Sequence, residues 1–282
     1  MKSIQDCHIL SNGVKIPCVG YGTWLIEKEE AEDKVLMALN QGFRHIDTAA
    51  CYKNEDGVGK AVLNSGIPRE EIFVTSKLWN TDQGYANCKK AFASTMEKLQ
   101  LEYLDLYLIH WPIAKDYKEK WQQTIQETWR AFEELYAEGK IRAIGVSNFK
   151  KHHFDVLLQT AKVMPMVNQI ELHPGANQDD TVRYCKKNNV LVEAWSPLAR
   201  GAVFHSATLA KLAQKYDKSI AQIVLRWELQ KEVLPLPKSV TEERIRENID
   251  LFDFEIANED MKIIDTIKDC EGIQLDPDTI EF

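Results

Sequence analysis

The chain has 282 residues, 44% hydrophobic and 28% charged, with a formal net charge of −8. That length is ample for one large core, and the acidic balance argues against nucleic acid or an anionic membrane as partner, so any phosphate site has to be a local basic cluster. The six cysteines (Cys7, Cys18, Cys51, Cys88, Cys185, Cys270) form no CxxC pair or zinc spacing, as expected of free thiols in a reducing cytoplasm. The opening Met1-Lys2-Ser3-Ile4-Gln5-Asp6 lacks the apolar core of a signal peptide, and no run approaches the roughly 18 apolar residues of a membrane span. A cytoplasmic protein is expected.

His8-Ile9-Leu10 and Val14-Lys15-Ile16 around Ser11-Asn12-Gly13 suggest an opening hairpin. Strand-like runs follow near residues 18–20, 43–46, 72–76, 104–109, 141–146, 166–170, 190–195 and 232–236. Between them lie amphipathic stretches near 28–41, 55–65, 84–100, 124–139, 150–162, 178–189, 206–216 with 219–230, and 241–250. In one of these, Trp129, Phe132 and Leu135 recur at helical spacing and Gly139 ends the run. Such alternation implies a parallel sheet, either closed as a (β/α)8 barrel or open and doubly wound.

The glycines favour closure. Gly20-Tyr21-Gly22-Thr23-Trp24-Leu25 carries only the first half of a dinucleotide GxGxxG, and Gly57-Val58-Gly59-Lys60-Ala61 lacks the spacing of a P-loop. No linker, low-complexity tract or repeat interrupts the chain, so residues 1–282 read as a single α/β domain, a TIM barrel with an N-terminal β-hairpin.

In a barrel, the C-terminal strand ends share one mouth. Asp47 and Tyr52 follow one apolar run, Lys77 ends the next and His110 the one after. Singly each has an ordinary explanation: a helix-capping aspartate, a packed tyrosine, a solvated lysine, a hydrogen-bonded histidine. Together they form a constellation. A lysine at the end of a strand as apolar as Ile72 to Ser76 needs a counter-ion, which Asp47 can supply. The paired ammonium is expected to lower the Tyr52 pKa from about 10 and make it a better proton donor, while His110 aligns a carbonyl. No residue can supply a hydride, so a cofactor must.

With these residues in place, the chain resembles the aldo-keto reductase family over nearly its full length. The resemblance rests on Phe43-Arg44-His45-Ile46-Asp47-Thr48-Ala49, Leu108-Ile109-His110-Trp111-Pro112, Gly145-Val146-Ser147-Asn148-Phe149, Asn168-Gln169-Ile170-Glu171-Leu172-His173-Pro174, Ala194-Trp195-Ser196-Pro197-Leu198, and Pro237-Lys238-Ser239-Val240 with Arg244-Ile245 and Glu247-Asn248. It implies that Asp47, Tyr52, Lys77 and His110 are a catalytic tetrad in a barrel that binds NADPH extended. Asp47, Ser147, Asn148 and Gln169 would hold the nicotinamide side and Trp195 would stack on the ring. Ser196, Leu198 and the main chain near Gly22 and Thr23 would line the pyrophosphate path. Lys238, Ser239 and Arg244 would clamp the 2′-phosphate, with Glu247 and Asn248 near the adenine.

The residues themselves leave that clamp open. Lys238 and Arg244 flank a helix start, a ready anion site, or belong to a solvated helix face with Glu242, Glu243, Arg246 and Glu247. Leu234-Pro235-Leu236-Pro237 adds a proline to the last strand, which forfeits a ladder donor.

Trp24, Trp79 and Trp111, around Tyr52 and His110, suggest an apolar pocket for a small-molecule carbonyl: an aldehyde, ketone or dicarbonyl. The segment Ile113 to Gln123 and the tail from Cys270 to Phe282 are expected to shape access, and the short ending resembles microbial members of the glyoxal and 2,5-diketogluconate reductase type. A monomer is expected. A metal site is not: there is no HxH at the first strand and no HExxH, and the adjacent His152 and His153 should point apart on a surface. The alternative of another class is a cofactor-sensing regulatory or structural barrel without significant turnover, which the intact tetrad disfavours.

Overall fold

The computed structural model describes all 282 residues. A hairpin of β1 (Cys7–Ile9) and β2 (Lys15–Pro17) pairs His8 with Ile16. It buries Leu10 and Ile16, and its turn residue Asn12 donates Nδ2 to the carbonyl of Arg142 at 2.9 Å. The hairpin therefore sits at the end of the barrel opposite the mouth.

Eight parallel strands follow: β3 (Tyr21–Gly22), β4 (His45–Asp47), β5 (Phe73–Leu78), β6 (Leu104–Ile109), β7 (Ile141–Ser147), β8 (Val167–Glu171), β9 (Leu191–Trp195) and β10 (Leu234–Pro235). Each pairs with its successor in chain order. Closure comes from Gly20 N–H donating to Pro235 O and Gly22 N–H to Pro237 O, both at 3.0 Å. The two prolines face this seam, where a parallel ladder would donate back from β10 to β3. The seam keeps the bonds given by the glycines and lacks those in return, and Leu236 donates the other way, to Ala194 O at 3.0 Å. This is the irregularity expected of the second proline.

The first barrel strand lies later than its sequence position of 18–20, because the N–H of Cys18 is bound by Asp6 O at 3.0 Å in the hairpin layer. The helices are α1 (Ala31–Asn40), α2 (Glu55–Asn64), α3 (Tyr85–Leu99), α4 (Trp121–Ala137), α5 (Lys151–Leu157), α6 (Asp179–Lys187), α7 (Ala207–Tyr216), α8 (Ile220–Gln230), α9 (Glu242–Glu247) and α10 (Asn258–Asp265). α4 buries Ile125, Trp129, Phe132 and Leu135 on one face and stops at Gly139, where φ is +73°. α8 begins with a capping box: Ser219 Oγ accepts from Gln222 N at 3.2 Å and Gln222 Oε1 from Ser219 N at 3.0 Å. α5 is shorter than expected: beyond Leu157 the main chain tightens into turns, with Gln159 N–H donating to Val156 O and Thr160 N–H to Leu157 O, and Glu133 Oε1 accepts the N–H groups of Lys162 and Val163 where it leaves them. α10 was not anticipated; it buries only Asp260 and Ile264, too thin an apolar face to show as a periodic pattern. No helix is long and apolar enough to cross a membrane.

Candidate active site

Asp47 ends β4, Lys77 is the penultimate residue of β5, and His110 follows β6 directly. Parallel pairing brings these ends to one mouth. Lys77 is fully buried, and its Nζ donates to Asp47 Oδ1 at 2.6 Å and to Thr48 O at 2.8 Å. Tyr52 ends a short 3-10 turn over Ala50–Tyr52, with its ring centroid 5.0 Å from that ammonium. The His110 ring stands edge-on to Tyr52 at 5.9 Å and to Trp79 at 5.2 Å. Its Nδ1 lies 3.6 Å from Cys51 Sγ.

The electrostatics differ from expectation at one point. Burial first, and then the charge of Asp47, hold the Tyr52 phenol well above its ordinary 10. The Lys77 ammonium, already paired with Asp47 at 2.6 Å, does not outweigh that burial. Burial, followed by the Lys77 charge, pushes His110 well below 6.5, so it is a neutral imidazole. The site thus holds a protonated phenol, a neutral N–H donor and a compensated ion pair.

Gln169 on β8 donates Nε2 to Asp47 Oδ2 and to Glu193 Oε2, each at 2.8 Å. Asn148 donates Nδ2 to His110 O and accepts at Oδ1 from Trp195 Nε1, both at 2.9 Å, which fixes the indole. Ser147 Oγ is turned away onto Gln169 O at 2.7 Å, and Thr23 Oγ1 onto Asp47 O at 3.0 Å.

Of the sequence-derived residues, Gly22, Trp24, Asp47, Tyr52, Trp79, His110, Trp111, Asn148, Gln169, Trp195, Ser196, Leu198 and Lys238 line one cavity of about 600 Å³. Thr23, Lys77 and Ser147 are buried just behind its wall. Ser239, Arg244, Glu247 and Asn248 lie beyond it, on the segment that follows β10 and on α9. Arg244 is exposed there, and neither it nor Lys238 makes an ion pair within the chain, although partial burial pulls the Lys238 ammonium down from 10.5.

The tail expected to shape access does line the cavity, through Ile273, Leu275 and Phe282, and further lining residues were given no role from the sequence: Leu25, Cys51, Pro197, Arg200, Leu236 and Pro237. Arg200 places its guanidinium 4.8 Å over the Trp24 ring. Phe282 stacks on Trp79 at 5.8 Å and meets Trp111 edge-on at 5.5 Å. Its main-chain oxygen accepts from Asn80 Nδ2 at 3.1 Å, and the tail bearing it is tied down in three further places. Both Glu171 oxygens accept main-chain N–H groups, of Ile273 and Gln274, at 2.7 Å. Lys118 pairs with Glu281 at 2.8 Å.

The third tie corrects an expectation about the paired histidines. His153 is buried, and both His152 and His153 point Nε2 at Asp278 Oδ1, at 2.7 and 2.9 Å. His153 Nδ1 accepts the Lys150 N–H at 3.0 Å, so a neutral ring carries its proton on Nε2, aimed at Asp278. Lys150 Nζ completes the cluster, 2.6 Å from Asp276 and 3.2 Å from Asp278. These residues latch the tail. The segment 113–123, expected to shape access, lends no residue to the cavity wall and instead holds the tail through Lys118.

The aldo/keto reductase family model matches residues 18–269. The chain is 49% identical over 281 residues to a glyoxal reductase of Bacillus subtilis, covering 99% of each. It is 42% identical over 276 residues to methylglyoxal reductase DkgA of Escherichia coli, covering 97% of this chain and 96% of that one. A variant of Gox0644 solved in complex with NADPH superposes with a TM-score of 0.91 at 38% identity, covering 99% of both chains. The chain therefore belongs to the aldo/keto reductase family and is an oxidoreductase.

Proposed function

We propose that this protein reduces small aldehydes and α-dicarbonyls of the glyoxal type to alcohols with NADPH, with Tyr52 as the proton donor. The observation that carries the assignment is the buried pair of Lys77 and Asp47 at 2.6 Å, its ammonium 5.0 Å from the Tyr52 ring, beside a neutral His110 in one cavity. Family membership supports the reaction class, and the names of the two bacterial relatives support the substrate class.

The residues present fit a nicotinamide cofactor. Gln169 and Asn148 offer amide groups at the cavity, Trp195 offers a flat face held by Asn148, Lys238 is an unpaired cation on its wall, and Arg244 is an exposed, unpaired cation beyond it on α9. NADPH supplies the hydride when bound. Asp47, Asn148 and Gln169 would hold the nicotinamide end, with Ser147 supporting Gln169 from behind the wall; Ser196, Leu198 and the main chain near Gly22 and Thr23 would line the pyrophosphate path, and Lys238, Ser239 and Arg244 would clamp the 2′-phosphate, with Glu247 and Asn248 by the adenine.

His110 donates its N–H to the substrate carbonyl and orients it. Tyr52 donates its phenolic proton to the same oxygen as negative charge develops there, and Lys77 stabilises the phenolate that is left. Trp24, Trp79 and Trp111 exclude water from the reacting carbonyl. The chain works as one domain, since a single cluster of 66 buried hydrophobic residues runs through it, and as a cytoplasmic monomer without nucleic-acid partners. Steady-state NADPH oxidation with glyoxal, methylglyoxal, a simple ketone and a sugar aldehyde tests the proposal. Efficient turnover of the first two supports it; binding of NADPH without turnover of any carbonyl would sink it.

A further inference from the structure

Asp47, Lys77 and Gln169 belong to the mouth, yet the barrel buries another carboxyl behind them. Glu193, on β9, is fully buried and is the register partner of Gln169 on β8. One Gln169 amide hydrogen goes to Asp47 Oδ2 and the other to Glu193 Oε2, both at 2.8 Å. Only the amide oxygen of Gln169 is then left for the cavity it lines. An amide rotated by half a turn would set that oxygen against ionised Asp47 and forfeit a donor at each carboxyl. Asp47 alone fixes one N–H direction; the second acceptor prevents the amide from swinging about the first.

We propose that Glu193 is a positioning residue: by accepting the second amide hydrogen of Gln169, it holds that side chain with its carbonyl oxygen toward the cavity, as the acceptor for a nicotinamide carboxamide N–H. The proposal rests on the assignment of this cavity to a nicotinamide cofactor.

The surroundings of Glu193 give the role a pH signature. The charged or titratable groups facing it are Asp47 and His45 from β4 and Lys77 from β5. β8 presents the neutral Gln169, and on β10 its register partner is Leu234. His45 Nε2 is 4.0 Å from Glu193 Oε1 and 2.9 Å from Thr75 Oγ1, and burial pushes this imidazole down to about 3, so it adds no cation. Burial, and then the Asp47 charge, push the Glu193 carboxyl up to about 8. Near neutrality it is an acid whose carbonyl oxygen accepts. Above pH 8 it places a second negative charge beside Asp47, with one ammonium to balance both. An oxidised nicotinamide ring is positive and a reduced one neutral, so ionised Glu193 favours NADP⁺ relative to NADPH.

The experiment titrates the cofactor-free protein with NADPH and with NADP⁺, followed by tryptophan fluorescence, in wild type, Glu193→Gln and Glu193→Leu. The ratio of the two affinities removes the titration of the 2′-phosphate, which both cofactors share. In wild type the preference for NADPH should fall by roughly 3- to 10-fold as pH rises through 8, a change equivalent to about half to one pKa unit. Glu193→Gln keeps a carbonyl acceptor and should bind NADPH within about twofold of wild type at pH 7, without the step; Glu193→Leu removes the acceptor and should weaken both cofactors by roughly 5- to 10-fold. A step that persists in Glu193→Gln, or wild-type affinity in Glu193→Leu, overturns the proposal. Circular dichroism checks the folding of Glu193→Leu, and if that variant is unfolded the step in Glu193→Gln decides alone. Failure of wild type to bind either cofactor would overturn the cofactor assignment as well, whereas normal and pH-independent binding in all three proteins would overturn only the role of Glu193.

Discussion

Tyr52 has to keep its proton until a carbonyl needs it and then release it, and its surroundings divide these tasks. Burial and the Asp47 charge hold the phenol protonated far beyond neutrality. The Lys77 ammonium, already paired at 2.6 Å, adds its stabilisation as negative charge forms on the phenol oxygen. Tyr52→Phe deletes one oxygen and leaves the ring contact with His110. Its kcat should fall by roughly 10²-fold or more, while NADPH binding, read by fluorescence, stays near wild type; near-normal turnover would remove Tyr52 as the acid. Lys77→Met should be slow and also unstable. Lys77 is wholly buried and Asp47 nearly so, so losing the cation strands a carboxylate in the barrel at a cost of about 3 kcal/mol, measurable by urea denaturation. A variant as stable as wild type would show that the pair is not needed to keep Asp47 inside.

Two connecting segments, rather than the strands, decide what enters the mouth. The tail carries Ile273, Leu275 and Phe282 into the cavity wall, and Phe282 stacks against Trp79. Deleting residues 274–282 should raise KM for an aromatic aldehyde by roughly 2- to 13-fold, the range of one aromatic pair worth ~0.5–1.5 kcal/mol. NADPH affinity should not change, and a loss of cofactor binding in the truncated protein would mean that the tail supports the other half of the site. On the far side, α9 presents Arg244 without an ion pair. A charged hydrogen bond to phosphate contributes ~1.5–3 kcal/mol, so Arg244→Ala should weaken NADPH by at least about tenfold and NADH little, an effect that shrinks in salt; equal losses for both cofactors would make Arg244 part of a solvated face. The barrel and its tetrad were legible because Asp47, Lys77 and His110 each terminate or follow an apolar run, a local signal. Glu193 and His45 were not legible. Each is a polar residue in a short strand whose partners, Gln169 and Asp47 for one and Thr75 for the other, lie on other strands. Even the space for His45 is made elsewhere, since a Cβ on Gly20 would come within 2.6 Å of its Nδ1. The tail ending in Phe282 was expected to shape access, but how Phe282 does so was illegible for the same reason: a terminal aromatic residue gains its place only when Trp79 and Trp111 are seen to meet it.

Across the whole molecule, the buried titratable groups set a pH profile whose sign can be worked out. His110 is held well below 6.5 by burial, His8 and His153 are lowered to about 4 and His45 to about 3. Below 6.5 the unfolded chain takes up protons at these rings and the folded chain does not, so stability falls as pH drops, by about 1.4 kcal/mol per pH unit for each ring until its folded value is reached. Glu193 and Glu228 act in the opposite direction. Burial raises the Glu193 carboxyl from 4.5 to about 8 and the fully buried Glu228 carboxyl well above 4.5, so above 4.5 the folded protein holds protons that the unfolded chain has released, and stability declines as pH rises until each folded value is passed. Four rings outweigh two carboxyls between pH 4.5 and 6.5. Of these groups, only the carboxyls act above 6.5. The urea midpoint should therefore climb steeply from pH 4.5 to about 6.5 and then decline gently. Glu193→Gln should make that decline shallower between 6.5 and 8, leaving the share of Glu228, and keep the steep limb, because the amide has no proton to lose and the histidines are untouched. A midpoint that is flat from pH 4.5 to 6.5 would mean that the interior histidines are charged in the fold. An alkaline decline unchanged in Glu193→Gln would assign it to a group other than the carboxyl behind Gln169.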